Sequence, residues 1–427
     1  MKNLSETSGG RVASIDVFRA LIMFLMIFVN DLPWSKSVPH ILEHALPKED
    51  MLGFADIILP AFLFIVGMSI PFALENRKAK GDSGSKILWH VVVRSFALIL
   101  IGVLIANRRL IDADMSGYSI NVYSLIIMAA FFLIWNIYPK GKRFTQTDIQ
   151  NKQFSEELIS DKFSEKLIFK ILRWVGMLTL FVVILTFRST GEGYNFIKPS
   201  WGILGVIGWS YLFCSAIYLL SKKKLWIVLG FCLLYYVATI LVTEKLIPLP
   251  NQLLKVVVGH SVSYSFTISG LALSMIFVGI KEKMGKQKRE QKNTLTVLLA
   301  TMSAIGIVML VLGNLTRNIW IISKISGTPP WMFLSIGISI LMFVAIYYLV
   351  DVLGKGKWFW IIKPAGTATL TCYMLPYIYY SIRNMTGNYL PDSLYDGFLG
   401  VMKCLVFALF IIGLTALLGK LRVKLKL

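Results

Sequence analysis

RVASIDVFRALIMFLMIFVN (residues 11–30) and MLGFADIILPAFLFIVGMSIPFALENR (residues 51–77) are apolar segments of membrane length, joined by a polar loop. A helix needs about 20 apolar residues to cross the hydrocarbon core of a bilayer. Comparable runs recur along the chain, and helices satisfy the backbone of such runs within lipid. The sequence therefore predicts an all-α fold, a polytopic transmembrane helical bundle of about twelve helices, or about ten to eleven if one segment is re-entrant.

The apolar runs give the predicted helices and the division of the chain. The helices are expected near residues 15–30, 52–74, 87–106, 120–138, 168–187, 201–220, 225–243, 261–280, 294–313, 331–350, 361–382 and 397–419. The first run has no small-residue cleavage site after it, so we interpret it as a retained helix rather than a signal peptide. We predict one membrane domain over residues 1–427, in which residues 11–77 form the N-terminal helices and loop expected to carry its chemistry. The cytoplasmic connectors are expected at residues 139–166 and 281–293.

The composition is typical of a membrane protein. Of the 427 residues, 56% are hydrophobic and 16% are charged, and the mean hydropathy is +0.68. Soluble proteins have about 45–50% apolar residues and about 25% charged residues. The four cysteines lie within predicted helices and show no spacing typical of a metal site, so we expect no metal.

The net charge of +21 is distributed unevenly between the predicted loops. With the N-terminus placed in the cytoplasm, 30 of the 44 Lys and Arg residues lie on the cytoplasmic side and 11 on the opposite side. This is the positive-inside pattern, and it places both termini in the cytoplasm. The basic loops are expected to set the topology and to contact anionic membrane lipid, so nucleic acid is not an expected partner.

Ionisable and polar residues stand at the ends of the first two apolar segments and in the loop between them. Asp16, Arg19 and Asn30 lie on the first segment, His44 in the loop, and Asp56 at the start of the second. Charges at membrane depth are costly and usually line a path or a site. Arg19 lies near the cytoplasmic end, whereas Asn30, about 16 Å further along the helix, lies at the far end. Asn30, His44 and Asp56 can therefore converge at the non-cytoplasmic mouth, where an imidazole oriented by a carboxylate suits a general base.

Each of these residues also has a purely structural interpretation. Asp16 and Arg19 are spaced i,i+3 and can pair with each other. Asp56 can stabilise the start of the second helix through the helix dipole. A histidine in a loop is often only a solvated side chain. Composition and spacing alone leave these alternatives open.

Five motifs together resemble one family of membrane enzymes. They are SIDVFRALIMFLMIFVN (14–30), EHA (43–45), GFADIILPAFLFIVGMSIPFAL (53–74), PSWGILGVIGWSYL (199–212) and IISKISGTPPW (321–331). These motifs resemble the heparan-α-glucosaminide N-acetyltransferase family, especially its bacterial branch. The resemblance implies a transmembrane acetyltransferase that moves an acetyl group from cytosolic acetyl-CoA to the amine of a glucosamine-type sugar on the other side of the membrane.

The resemblance also implies roles for individual residues. The family's catalytic histidine corresponds to His44, its helix-end asparagine to Asn30, and its aspartate to Asp56. His44 is then expected to take a proton from the attacking amine, or to carry the acetyl group as an acetyl-histidine intermediate. Asn30 is expected to donate to the carbonyl oxygen, and Asp56 to orient His44.

Further candidates follow from position along the chain. For acetyl-CoA binding they are Asp16, Arg19 and Arg94, and for binding the amino-sugar acceptor they are Trp320, Ser323 and Lys324. Trp320 also suits an anchor at the membrane interface, and Arg94 a residue that snorkels. A second copy of the chain, in a homodimer, is a further expected partner.

The chain departs from the animal enzymes of the family in three ways. Its His44–Asp56 spacing is slightly longer, which concerns the geometry of the loop. It lacks the tryptophan that usually follows the H-A motif and could stack on a sugar, so the acceptor is expected to differ from heparan. It also lacks the large lumenal domain, which favours a bacterial cytoplasmic (inner) membrane over a lysosome. Two other functions stay open: a membrane O-acyltransferase that modifies sugar hydroxyls, and a non-enzymatic sugar transporter.

Overall fold

The structure is a computed structural model that describes residues 12–138, 155–190, 197–198, 200–251, 254–284 and 288–427. Within these residues the chain is all-α, and no β-strand is formed. The long helices are α1 (Ala13–Asp31), α2 (Phe54–Ala79), α3 (Gly84–Asn107), α4 (Ile120–Trp135), α5 (Ser155–Thr186), α6 (Gly202–Leu220), α7 (Leu225–Thr243), α8 (Ser261–Met284), α9 (Lys288–Thr316), α10 (Pro329–Tyr347), α11 (Thr369–Thr386) and α12 (Gly397–Lys420).

These helices confirm the predicted polytopic all-α membrane fold. In the described part of the chain, ten helices are long and apolar enough to cross a membrane. Helix α4 is apolar but shorter, whereas α11 is long but falls outside that apolar set. Each of the twelve predicted helices corresponds to one long helix of the structure. The sidedness of the membrane stays a prediction.

The chain divides into two compact units. The first comprises the described residues of 1–102 together with 201–367 and 391–409. The second comprises the described residues of 103–200 together with 368–390 and 410–427. The predicted connector 139–166 lies outside the described residues as far as residue 154, and α5 begins at Ser155. Of the predicted connector 281–293, residues 285–287 lie outside the described part, and α8 and α9 occupy the rest.

Close helix packing in the first unit holds α2 in place. A Cβ atom added to Gly67 of α2 would lie 1.8 Å from the carbonyl oxygen of Thr267 in α8. A Cβ atom added to Gly270 of α8 would lie 2.0 Å from the carbonyl oxygen of Phe64. Small residues commonly permit such close approach between membrane helices. The two glycines thus fix the position of α2, which carries Asp56 in its first turn.

Candidate active site

The centre of the site is the Asp56 carboxylate, in the first turn of α2. Its Oδ1 lies 2.7 Å from Nδ1 of His44, and its Oδ2 accepts the backbone N–H groups of Ala45 at 3.0 Å and Gly53 at 3.3 Å. Asp56 is only 1% exposed. A carboxylate at a helix N-terminus is favoured by the helix dipole. The structural and functional interpretations of Asp56 are therefore compatible, since one oxygen serves the helix start and the other the histidine.

A glycine brings the His44 loop onto the start of α2. A Cβ atom added to Gly53 would lie 2.1 Å from the carbonyl oxygen of Glu43. A side chain at position 53 would therefore push away the backbone next to His44. This close contact is the local reason that the His44 ring reaches Asp56.

The contact with Asp56 determines which nitrogen of His44 carries the proton. An ionised carboxylate only accepts hydrogen bonds, so Nδ1 of the neutral ring must donate to Asp56. Nε2 is then the unprotonated, basic nitrogen. The His44 side chain is 45% exposed, so a substrate can approach the ring. A ring held in this tautomer is suited to general-base chemistry.

Lys324 lies beside the histidine–aspartate pair. Its Nζ is 3.1 Å from Nδ1 and 3.5 Å from Nε2 of His44, and 3.7 Å from Oδ1 of Asp56. Because Nδ1 donates to Asp56, the ammonium cannot donate to that nitrogen; the ring acceptor open to it is Nε2, at 3.5 Å, and the Asp56 carboxylate attracts it as well. Burial lowers the pKa of Lys324, and the nearby Asp56 partly offsets this effect. The three side chains form the cluster that we call the His44–Asp56–Lys324 site.

Asp50 holds the Lys324 loop against the His44 loop. Its Oδ1 accepts the backbone N–H of Ile322 at 2.8 Å, and its Oδ2 accepts Nε of Arg317 at 2.8 Å. The Ile322 N–H, more than Arg317, lowers the pKa of Asp50. Asp50 was not among the predicted site residues. The only signal in the sequence was charge: Asp50 is acidic, and the loop that it contacts carries the basic residues Arg317 and Lys324.

Ser323 and Trp320, predicted to contact sugar, have other partners. Ser323 is buried; its Oγ accepts the backbone N–H of Ser326 at 3.2 Å, and its own N–H donates to Oγ1 of Thr328 at 3.0 Å. The indole N–H of Trp320 donates to the carboxylate of Glu244. Ser323 thus shapes the loop that carries Lys324. A sugar-binding role for these residues stays a prediction.

Asn30 is not joined to the site by a hydrogen bond within the described residues. It is exposed, one residue before the end of α1. The neighbouring Asp31, which was not predicted, is buried and forms an ion pair with Lys403 at 2.9 Å. The predicted role of Asn30 at the carbonyl oxygen stays a prediction.

The residues predicted to bind acetyl-CoA are partly engaged with each other. Asp16 and Arg19 form the i,i+3 ion pair at 3.1 Å, and Nη2 of Arg19 also donates to Oγ of Ser69 at 2.6 Å. The guanidinium of Arg94 lies 4.9 Å from the centre of the Tyr211 ring. Its Nε is buried and has no hydrogen-bond partner in the part of the chain that the structure describes. These contacts do not involve His44, and binding of acetyl-CoA by the three residues stays a prediction.

A second histidine stabilises the loop. Nε2 of His40 lies 2.8 Å and 2.9 Å from the two carboxylate oxygens of Glu49, which also accepts the backbone N–H of Leu46 at 3.0 Å. Glu49 raises the pKa of His40. In the described residues, no group of three or more His, Cys, Asp or Glu side chains could hold a metal ion.

The fold and the site together define a polytopic membrane protein with a buried carboxylate, an accessible histidine and a lysine in contact where two loops meet. Residues 11–115 match the family model described as "Heparan-alpha-glucosaminide N-acetyltransferase, catalytic". This segment contains His44 and Asp56, whereas Lys324 lies outside it.

Two relatives share the same segment. The heparan-alpha-glucosaminide N-acetyltransferase of Mus musculus is 36% identical over 102 residues, which cover 24% of this chain and 15% of the relative. That of Homo sapiens is 35% identical over 97 residues, covering 23% and 14%. The chain thus spans about one seventh of the length of the curated relatives it matches. Over this segment, the family resemblance indicated by the motifs is confirmed.

Proposed function

We propose that this protein is a transmembrane acetyltransferase that moves an acetyl group from cytosolic acetyl-CoA to the amine of a glucosamine-type sugar on the non-cytoplasmic side. The observation that carries the proposal is the 2.7 Å contact between His44 and Asp56, inside the segment that matches a catalytic family model. The acceptor sugar, the membrane lipid and a second copy of the chain are the partners of the proposal. Its location is a bacterial cytoplasmic membrane.

The proposed reaction is a direct transfer. The amine nitrogen of the sugar loses a proton to Nε2 of His44 and attacks the thioester carbonyl carbon. A C–N bond forms, the carbonyl oxygen becomes an oxyanion, and the C–S bond then breaks. The thiolate leaves and takes up the proton held by His44, which restores the neutral ring. A transfer through acetyl-histidine uses the same nitrogen, first as nucleophile.

Lys324 is the cation nearest to the reacting nitrogen. Its Nζ lies 3.5 Å from Nε2 of His44, on the side of the ring where the carbonyl of the thioester is attacked in the proposal. The same ammonium can stabilise the developing oxyanion in a site partly shielded from water. In the proposal Lys324 shares with Asn30 the role of stabilising the carbonyl oxygen.

The basic loops and the polar side chains within the helices suit an anionic, polar co-substrate. Acetyl-CoA is highly charged, so its nucleotide is expected at the basic cytoplasmic side while its thioester reaches the opposite mouth. The buried Nε of Arg94 is a donor without a partner in the described residues, and a buried donor of this kind favours a polar ligand. Asp16 and Arg19 supply further polar atoms along the first helix.

The test is acetyl transfer from radiolabelled acetyl-CoA to glucosamine by the purified protein in nanodiscs, with His44→Gln and His40→Gln compared. Glutamine at 44 can still donate to Asp56 but has no basic nitrogen. His40 is the matched control, since it lies in the same loop and also bonds to a carboxylate. We expect loss of transfer in His44→Gln and retention in His40→Gln.

The acceptor and the enzyme class are tested in the same assay. Label on glucosamine but not on N-acetylglucosamine supports N-acetylation, whereas label on both favours the sugar O-acyltransferase. Full activity of His44→Gln would remove the histidine from the mechanism. Sugar uptake by proteoliposomes that contain the protein, without consumption of acetyl-CoA, would replace the enzyme with a transporter.

A further inference from the structure

A basic cleft lies at the opposite end of α2 from Asp56. It has a volume of about 300 Å³, and its polar lining consists of Glu75, Lys78, Tyr218, Lys222 and Lys223. Glu75 follows Asp56 by about five turns of α2, which corresponds to about 28 Å. The cleft is therefore separate from the His44–Asp56–Lys324 site.

The floor of the cleft belongs to the hydrophobic core of the first unit. Leu74, Ile87 and Tyr218 line the cleft and are 2%, 4% and 5% exposed. They pack in one buried cluster with residues of α2, α3, α6, α7 and α8. The charged rim thus stands on a firmly packed base, which keeps the cleft open as a preformed site.

The charges of the cleft do not balance. The single carboxylate of the lining, that of Glu75, accepts Nζ of Lys223 at 2.6 Å and the hydroxyl of Tyr218 at 3.1 Å. Glu75 therefore neutralises Lys223. Lys78 and Lys222 form no ion pair or side-chain hydrogen bond within the residues that the structure describes. Among the residues that line the cleft, two ammonium groups are thus left without a carboxylate partner; the carboxylate of Glu282 lies within electrostatic range of Tyr218 but forms an ion pair with neither of them.

The backbone at the cleft is held in an uncommon conformation. Lys222 and Lys223 have φ angles of 48° and 67°, in the left-handed region that lysine rarely adopts. Ser221 fixes the turn, because its Oγ donates to the carbonyl oxygen of Tyr218 at 2.8 Å and its own carbonyl accepts the N–H of Lys224 at 2.9 Å. Glycine or asparagine fits such a turn with less strain. Strain of this kind tends to occur at ligand-binding sites, and here it puts two lysines at the rim.

We propose that this cleft binds a phosphate group, supplied by a soluble nucleotide cofactor or by the headgroup of an anionic lipid. Lysine ammonium groups bind phosphate as point charges, and a phosphate offers several strong acceptor oxygens. The volume lies at the lower end of the range for ligand pockets, which suits one charged headgroup or one part of a nucleotide. The proposal does not depend on the chemistry at His44.

The test compares the wild type with Lys78→Gln/Lys222→Asn, Lys80→Gln and Glu75→Gln. Asparagine at 222 tolerates the left-handed backbone, so the double variant removes charge and keeps the turn. Lys80 is the matched control, an exposed lysine near the cleft that does not line it. Calorimetric titration with coenzyme A and with inorganic pyrophosphate examines the soluble source. Native mass spectrometry with phosphatidylglycerol against phosphatidylcholine examines the lipid source.

We expect the double variant to bind at least one phosphate probe about tenfold more weakly, since it loses two charge-assisted contacts, and Lys80→Gln to bind like the wild type. Glu75→Gln is expected to bind about threefold more tightly, because the carboxylate among the lining residues is removed. Loss confined to coenzyme A and pyrophosphate identifies a nucleotide, and loss confined to phosphatidylglycerol identifies a lipid. Unchanged affinity of the double variant for every probe, or no binding of any probe by the wild type, would overturn the proposal.

Discussion

Asp56→Asn separates the two tasks of the buried carboxylate. In the wild type, Oδ1 accepts from Nδ1 of His44 at 2.7 Å, while Oδ2 accepts the backbone N–H groups of Ala45 and Gly53 at 3.0 Å and 3.3 Å. Asparagine has nearly the same shape but only one acceptor oxygen. The single amide oxygen can accept either from the two backbone N–H groups or from Nδ1 of His44, and the structure indicates which of these it will do.

The balance of hydrogen bonds favours the backbone. Each buried N–H group left without an acceptor costs about 1–3 kcal/mol, and there are two of them. The amide oxygen of the variant side chain is therefore expected to face Ala45 and Gly53, and its NH₂ group to face His44. Nδ1 must then accept, so the ring proton moves to Nε2 and the basic nitrogen is lost to the substrate. General-base catalysis contributes about 10²–10⁴-fold, so kcat is expected to fall by that factor with little change in melting temperature.

The assay is the initial rate of acetyl transfer at saturating acetyl-CoA, with the melting temperature of each variant measured in the same detergent. Asp112→Asn is the matched control, because Oδ1 of Asp112 also accepts two backbone N–H groups, those of Asp114 and Met115 at 3.1 Å and 3.0 Å. The control is expected to keep full activity. An Asp56→Asn variant that folds and keeps more than about a tenth of the wild-type kcat would refute the tautomer argument.

Three further predictions concern the surroundings of His44. Burial lowers the pKa of Lys324, so its ammonium loses its proton at a lower pH than that of a free lysine. Arginine keeps its charge at high pH, so Lys324→Arg should move the alkaline fall of kcat to higher pH in a pH–rate profile. Asp50→Ala frees the loop that carries Lys324, and transfer should drop by about 10²-fold with unchanged stability of the helices, measured by rate and by circular dichroism. Gly53→Ala places a Cβ atom 2.1 Å from the carbonyl oxygen of Glu43 and should lower the free energy of unfolding by about 1–3 kcal/mol. In the control Gly84→Ala the added Cβ meets open space, so thermal unfolding should show no such loss.

The helices could be predicted because their signal is local. A run of about 20 apolar residues predicts a membrane helix whatever the rest of the chain does. The pairing of His44 with Asp56 could also be predicted, since His44 lies only 12 positions before Asp56, in the loop that leads into α2. The family motifs then predicted a role for each of the two residues.

The remaining contacts of the site depend on residues far apart in the chain. Lys324 lies 280 positions from His44, and Asp50 lies 272 positions from Ile322. Their sequence positions indicate a common side of the membrane but not a contact of about 3 Å. For Asn30 the sequence position suggested a contact that the structure does not contain. It lies at the end of α1, close to the loop in sequence, but its amide forms no hydrogen bond with His44 or Asp56 among the described residues.

A missing hydrogen-bond donor in α2 ties the segment that matches the family model to the rest of the chain. Pro60 has no N–H, so the carbonyl of Asp56 loses its usual partner within the helix. The indole N–H of Trp331, at the start of α10, donates to this carbonyl at 3.1 Å. Together with Lys324, Trp331 makes residues beyond 115 part of the immediate surroundings of the carboxylate. Residues 11–115 alone therefore lack two of the contacts that surround the carboxylate, and an expressed fragment of this length would have His44 and Asp56 without the Trp331 and Lys324 side chains that contact Asp56.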